Sequence, residues 1–259
     1  MSETGQPDVP VPAAGTTSAP GLAGGNRLLG RLPESELIRL ASGLERVALS
    51  PGRVLFEPGD DVTHAHFPLP GTVVSLLAVL ADGRVTESAA IGCEGAVGVI
   101  ISGGEKPAFA RAVVQVAGAA LRLEAAQLEQ AKLDSAAVRD VISRYADSLL
   151  AQVLQSVACN ALHGVESRIA RWLLMLQDRC FAAELPLTQE FLADQLGVRR
   201  TTVTRAMAEL EAAGAIRHSR GRVLVVSRPR LERACCECYR AVRDHFERVA
   251  PGLYPTAPP

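Results

Sequence analysis

Residues 188–213 read TQEFLADQLGVRRTTVTRAMAELEAA, and the spacing of small and apolar residues in this stretch decides the fold of the C-terminal half. Two helices crossing at a tight turn need a small residue where their backbones approach and a positive φ at the turn. Ala193 and Gly197 fill those positions. Leu192, Leu196, Val198 and Val203 supply the apolar residues that lock one helix across the other. The second helix leaves Arg200, Thr201, Thr204 and Arg205 outward on one face, the layout of a helix whose N-terminal turns enter a major groove. An ordinary two-helix hairpin would share the alanine and the glycine, but it would not require a basic β-hairpin after the second helix.

After Gly214-Ala215-Ile216 the run RHSRGRVLVV alternates its side chains around a Ser219-Arg220-Gly221-Arg222 tip, as a two-stranded hairpin does. A winged helix-turn-helix is therefore expected over residues 164–231. From Gly197 to Arg230 eight arginines face two acids, Glu209 and Glu211, while the whole chain has a formal net charge of −1. Arginine is abundant everywhere, 25 against two lysines, so the clustering carries the argument. Phosphate neutralisation is the simplest use of such a surface, and duplex DNA is the expected partner. The candidate contacts are Arg199, Arg200, Thr201, Thr202, Thr204 and Arg205 on the second helix, with Arg220 and Arg222 at the wing tip.

Composition narrows the class further. Aromatics make up 4% of the 259 residues, too few for the stacking platforms of single-strand or RNA readers. No apolar run reaches transmembrane length, and the first residues lack both the basic start and the apolar core of a secretory signal, so a cytoplasmic protein with no membrane partner is expected. Residues 1–26, rich in Pro, Gly, Ala, Ser and Thr, read as a disordered tail. A short helix opened by Pro33 and Glu34 places Leu37, Leu40 and Leu44 on one face. Then come β-rich runs cut by Pro51-Gly52, Pro58-Gly59, Pro70-Gly71, Asp82-Gly83 and Ala117-Gly118, the spacing of a small antiparallel β-roll, within a domain of residues 27–131. From Leu133 to Asp178 the period is helical, with a break at His163-Gly164. Val138, Val141, Ile142, Tyr145, Leu149, Val153 and Val157 form an apolar stripe longer than one roll could cover, so a central helix at 132–163 with a dimer seam along that stripe is expected. Residues 232–259 are expected to add a helix and a tail.

A β-roll, a long helix and a winged helix in this order resemble the Crp/Fnr family of bacterial transcription regulators, over roughly residues 28–231. The likeness rests on Glu57-Pro58-Gly59-Asp60, on Gly71-Thr72-Val73, on Glu166-Ser167-Arg168-Ile169-Ala170-Arg171-Trp172-Leu173-Leu174, and on Leu187-Thr188-Gln189 with the Gly197–Arg205 run. It implies an α+β fold with a cyclic-nucleotide-binding-like roll, a homodimer along the central helix, and recognition helices in successive major grooves. It also implies that Arg200 and Arg205 reach guanine edges or flanking phosphates, that Thr188 and Gln189 hold a phosphate, and that RNA polymerase is a partner if the protein activates. Thr201 stands where the family commonly has glutamate, which changes the half-site it would prefer. Ala108 and Phe109 stand where the family's arginine and hydroxyl residue hold the cyclic phosphate, although Arg111 is near. Glu94-Gly95 reverses the acidic pair, and Val153 and Leu154 replace the hydroxyls offered to the base. The implied effector is something other than cyclic AMP, or none.

Cysteines at 93, 159, 180, 235, 236 and 238 follow no disulfide framework, and none lies near the N-terminus where the family's oxygen sensors keep their cluster thiolates. Cys235-Cys236-Glu237-Cys238, with His245 two turns on, reads as a solvated thiol cluster, since a closed metal site draws its ligands from two segments. His64 and His66 share a strand face as in a cupin-type metal enzyme, but FPLPGTVVSLLAVL supplies no acid and the next histidine is His163. Neither catalysis nor a metal or cofactor is expected. The alternative is a protein-interaction module with weak DNA binding, which a steep salt dependence of duplex binding would exclude.

Overall fold

The computed structural model describes residues 21, 23, 25–100 and 107–255, so most of the N-terminal tract expected to be disordered lies outside the described residues. Ala23 and Asn26 are buried, the Asn26 amide donates to Pro68 O and Gly95 O at 2.9 Å each, and its Oδ1 accepts from Leu29 N. One side chain thus satisfies three buried backbone groups and ties Asn26 to the roll.

Helix α1 (Glu34–Ala41) turns Leu37 and Leu40 inward. Strands β1 (Glu45–Leu49), β2 (Val54–Phe56), β3 (His64–Pro68), β4 (Val73–Val79), β5 (Val85–Ile91), β6 (Arg111–Val116) and β7 (Gly118–Glu124) form two antiparallel sheets, ordered β1-β7-β3 and β2-β6-β4-β5. Phe67, Val74, Val114, Leu121 and Leu123 meet in the core of this roll. The proline-glycine dipeptides fall between strands, and in the Glu57–Asp60 turn the Asp60 carboxylate accepts from Glu57 N at 2.8 Å.

Helix α2 (Ala125–Asp134) leads from the roll to α3 (Ala136–Leu162), whose N-cap Ser135 accepts from Val138 N. Its 27 residues span about 40 Å. The helix stops at His163, in extended conformation, and α4 (Val165–Cys180) begins after Gly164. Strand β8 (Glu184–Pro186), helices α5 (Gln189–Leu196) and α6 (Arg200–Ala212), strands β9 (Ile216–Ser219) and β10 (Arg222–Val225), and helices α7 (Arg228–Ala234) and α8 (Cys238–Val249) complete an α+β fold. The wing has three strands, β8-β10-β9, where the sequence pointed to two, because Glu184-Leu185-Pro186 is too short to display a period.

Much of the expected dimer seam is occupied within the protomer. Val138, Ile142, Tyr145 and Leu149 are buried against Leu28, Leu29, Phe67 and Val97 of the roll side and against Val242, Phe246 and Tyr254, while Val141 and Val153 pack half-buried on the same core. The roll alone would not have reached along α3, but α8 lies beside it and covers the remainder. Of the seven seam residues, only Val157 is exposed. Among the described residues, no helix is long and apolar enough to cross a membrane.

Candidate nucleic-acid interface

Gly197 closes α5 at φ 62°, ψ 37°, and Val198 N returns to Ala193 O at 3.0 Å, so the chain reverses in the space of one residue. Leu192, Ala193 and Leu196 then interlock with Val203, Met207 and Leu210 of α6, backed by Trp172 and Leu173 of α4. With its inner face filled, α6 leaves Arg200, Thr201, Thr204 and Arg205 exposed, Thr202 half-buried, and Arg199 exposed at its N-cap. Thr188 caps α5, its hydroxyl accepting from Phe191 N at 3.1 Å. Gln189 is fixed as well: its Oε1 accepts from Thr204 Oγ1 at 2.7 Å, holding the first turn of α5 to the outer face of α6. Among the described residues Arg205 makes a long 3.9 Å pair with Glu209, both exposed.

The wing divides its arginines. Arg220 stands exposed at the hairpin tip beside Gly221, whereas Arg222 is in register with Ser219 and its Nη1 lies 2.8 Å from Glu184 Oε1 of β8. Arg228, counted from sequence with the basic cluster, does not belong to that surface. It is half-buried, pairing with Asp178 at 2.8 Å and Glu232 at 3.1 Å and donating to Tyr239. The cationic face is thus narrower than the sequence count implied.

Residues 167–234 match the family model described as the Crp-like helix-turn-helix domain. This part of the chain is similar to Crp-like helix-turn-helix domains. No curated protein matches the chain. Solved structures resemble about three quarters of it or more in fold: FixK2 from Bradyrhizobium japonicum (TM-score 0.64, 17% identity, 74% of this chain and 98% of that one) and a Crp/Fnr-family transcriptional regulator from Eubacterium rectale (0.63, 18%, 80% and 96%). A third is the c-di-GMP responsive global regulator CLP of Xanthomonas campestris (0.62, 19%, 75% and 100%). The roll, the long helix and the winged domain thus stand in the order found in Crp/Fnr regulators.

The Crp-like domain is docked on the roll through buried polar contacts that the sequence did not announce. Arg179, at the end of α4, is fully buried; its Nε lies 2.8 Å from Glu94 Oε1 of the roll and its Nη2 donates to Gln152 Oε1 of α3 at 3.1 Å. Burial works against the Arg179 charge, but the acidic groups around it, Glu94 first and then Tyr254 and Asp178, together outweigh that cost and keep the guanidinium protonated. Beside this pair, Trp172 Nε1 donates to Glu87 Oε1 at 2.9 Å and Ser75 Oγ to Glu87 Oε2 at 2.7 Å, in a setting whose burial pushes the Glu87 carboxyl up. Thr86 Oγ1 donates to Gln195 O at 3.2 Å. Strand β5 is therefore the face of the roll that holds the winged domain.

Part of the segment matching the cyclic-nucleotide cassette, residues 101–106, lies outside the described residues; around Glu94 and Gly95 the space is taken by the chain's own side chains. Glu94 is committed to Arg179 and to Gly92 N, and the Tyr145 ring lies so close to Gly95 that a Cβ there would collide with it, while the Tyr145 hydroxyl donates to Ala96 O at 2.9 Å. Phe109 is exposed, Ala108 half-buried, and Arg111 pairs at the surface with Glu57 at 2.8 Å. Leu154 points to solvent. His66 is buried and lowered to about 4, chiefly by that burial and by the neighbouring His64. Neither histidine belongs to the one group with metal-ligand spacing among the described residues, Cys159, His163, Cys236 and Cys238, which lies at the far end of α3.

Proposed function

We propose that the chain is a sequence-specific transcription regulator that binds duplex DNA as a homodimer on an inverted repeat. The observation that carries this reading is the outer face of α6: Arg200, Thr201, Thr204 and Arg205 are exposed on its first two turns while the opposite face is locked into the domain core. On such a helix Arg200 and Arg205 suit guanine O6 and N7, and Thr201 offers a hydroxyl and a methyl to a neighbouring base. Thr188, Gln189, Arg199, Thr202, Arg220 and Arg222 lie around that face and suit phosphates.

The homodimer reading moves one strip around α3. Leu150, Leu154 and Val157 are 55%, 61% and 64% exposed at spacings of four and three, with half-buried Val153 between them. An apolar strip of this kind on a 27-residue helix is best covered by a second copy of the same helix. For the effector, the occupied cassette favours a ligand other than cyclic AMP, or none. RNA polymerase enters as a partner if the protein activates.

Selection from a random duplex pool tests the reading. The expected product is an inverted repeat with half-site centres about one helical turn apart. Enrichment of single unrepeated sites would remove the homodimer, and no enrichment together with a flat salt dependence would leave a protein-interaction module. Saturating cyclic AMP is expected to leave the melting temperature unchanged, because a ligand bound only by the native state must raise it.

A further inference from the structure

Where α8 turns back against α3, four side chains from two distant segments converge. Cys159 and His163 lie one turn apart at the end of α3; Cys236 precedes α8 and Cys238 opens it. Their ligand atoms all lie within 4.8 Å of one another, with Cys159 Sγ 3.6 Å from Cys236 Sγ and Cys238 Sγ 3.4 Å from His163 Nδ1. A tetrahedral zinc with bonds of about 2.3 Å to sulfur and about 2.05 Å to nitrogen sets its ligands roughly 3.8 Å apart between sulfurs and roughly 3.6 Å between sulfur and nitrogen. The two measured edges sit close to those values.

We propose that Cys159, His163, Cys236 and Cys238 bind one zinc ion that clasps the end of the central helix to the start of α8. The surroundings suit that occupant. His163 presents Nδ1 to the thiols while its Nε2 lies 3.3 Å from Glu237 Oε1, the outer carboxylate that fixes the tautomer of a metal-bound imidazole. Gln155 Nε2 donates to Cys238 Sγ at 3.0 Å, as an amide does to a thiolate. Arg168 and Arg171, both buried and each with an Nε lacking a hydrogen-bond partner among the described residues, bring positive charge to bear on Cys159. An ion of charge two held by three thiolates and a neutral imidazole is one unit negative, which answers those guanidiniums. The three thiol protons pass to solvent on binding.

The donor set selects the metal. Three thiolates and an imidazole at tetrahedral edges suit zinc, whereas calcium and magnesium take oxygen ligands. An iron-sulfur cluster spreads its ligands over two or more irons and would hold those on different irons wider apart. Cys235 is outside the set, its Sγ donating to Cys236 O. The clasp also has a place in the architecture, because residues 164–235, the whole winged domain, lie between its two ligand pairs. A single ion therefore joins the point where the chain enters that domain to the point where it leaves. None of this depends on the DNA reading.

Elemental analysis of the full chain, purified under reducing conditions from zinc-supplied cells, is expected to give one zinc per chain. Cobalt(II) titrated into metal-free protein should saturate at one ion per chain with intense tetrahedral d–d bands and thiolate-to-cobalt charge transfer. Cys159→Ser should weaken binding at least about 100-fold and Glu237→Gln about tenfold, with Cys235→Ser unchanged. Should Cys159→Ser fail to fold, His163→Cys still decides: it should keep one ion and raise the charge transfer from that of three thiolates to that of four. Pale octahedral cobalt spectra, equal loss in Cys235→Ser, unchanged charge transfer in His163→Cys, or a Cys159–Cys236 disulfide in place of metal would each overturn the proposal.

Discussion

Helices α6 and α3 each show one polar and one apolar face in the sequence, yet only α6 keeps the surroundings that its pattern suggests. The apolar face of α6 is covered by α4, α5 and β9, all close to it in the chain, and its polar face stays open. The stripe on α3 is covered by Leu28 and Leu29 from one end of the chain and by Val242, Phe246 and Tyr254 from the other. Periodicity says that a face will be buried; it does not say what will bury it. Where the cover is local, reading the pattern also identifies the partner. Where the cover comes from a C-terminal helix folding back, the same pattern resembles a dimer seam.

That contrast breaks most visibly at Leu149 and Leu154, five residues apart on the same helix and 7% and 61% exposed. Leu149→Asp would bury a carboxylate among apolar side chains, and it is expected to cost roughly 5 kcal/mol of stability. Leu154→Asp should leave the melting temperature within a few degrees of wild type and split the proposed dimer instead. Thermal melts beside sedimentation velocity separate the two. A Leu149→Asp protein that melts normally but sediments as a monomer would return the seam to the stripe first read from the sequence.

A second break concerns the joint between the Crp-like domain and the roll. Arg179→Met leaves Glu94 buried without its counter-charge and Gln152 Oε1 without its donor, an expected loss of about 3 to 5 kcal/mol. Adding Glu94→Gln removes the stranded charge, so the double variant should recover part of the loss, as coupled groups do. Urea midpoints of the two single variants and the double variant measure that coupling. Strict additivity would mean that the roll and the winged domain are joined by packing alone.

Legibility in the sequence divides between local and distant cover in the same way. Gly197 and Ala193 could be placed because a helix-turn-helix has fixed local needs, and the turn dipeptides because each breaks its own strand. Arg222 could be seen as basic but not as paired with Glu184, since strand β8 is three residues long and shows no period. The Glu94–Arg179–Gln152 contacts join three elements far apart in the chain, and nothing local to any of the three residues marks them as partners. Cys236 and Cys238 were visible as a cluster, while Cys159 and His163 were not. Only the return of α8 along α3 puts them together.

Within the proposed DNA surface the expected effects are smaller. Arg200→Ala and Arg205→Ala should each cost about 1 to 3 kcal/mol of binding and loosen preference at one base pair. Arg220→Ala should weaken all sequences alike and lower the salt slope by roughly one unit. Arg222→Ala should do less than Arg220→Ala, because Arg222 must first give up Glu184. Glu184→Gln should then tighten binding. Fluorescence anisotropy over a salt series reads all of these variants. Equal slopes for the two wing variants would mean that the Glu184 pair opens freely on DNA.

The smallest effect tests the most local feature, the turn. Gly197 sits at φ 62°, and a Cβ built there would come no closer than 3.7 Å to Thr86 Oγ1, an ordinary contact. Sterics with the neighbouring strand are therefore not the issue. Gly197→Ala must instead carry the left-handed backbone itself, against which it gains from a stiffer unfolded chain, for a net loss of roughly 1 kcal/mol. Gly197→Asn should cost less, since asparagine tolerates that region better. Chemical denaturation of the two variants gives the order. If alanine and asparagine cost the same, backbone conformation is not what Gly197 provides.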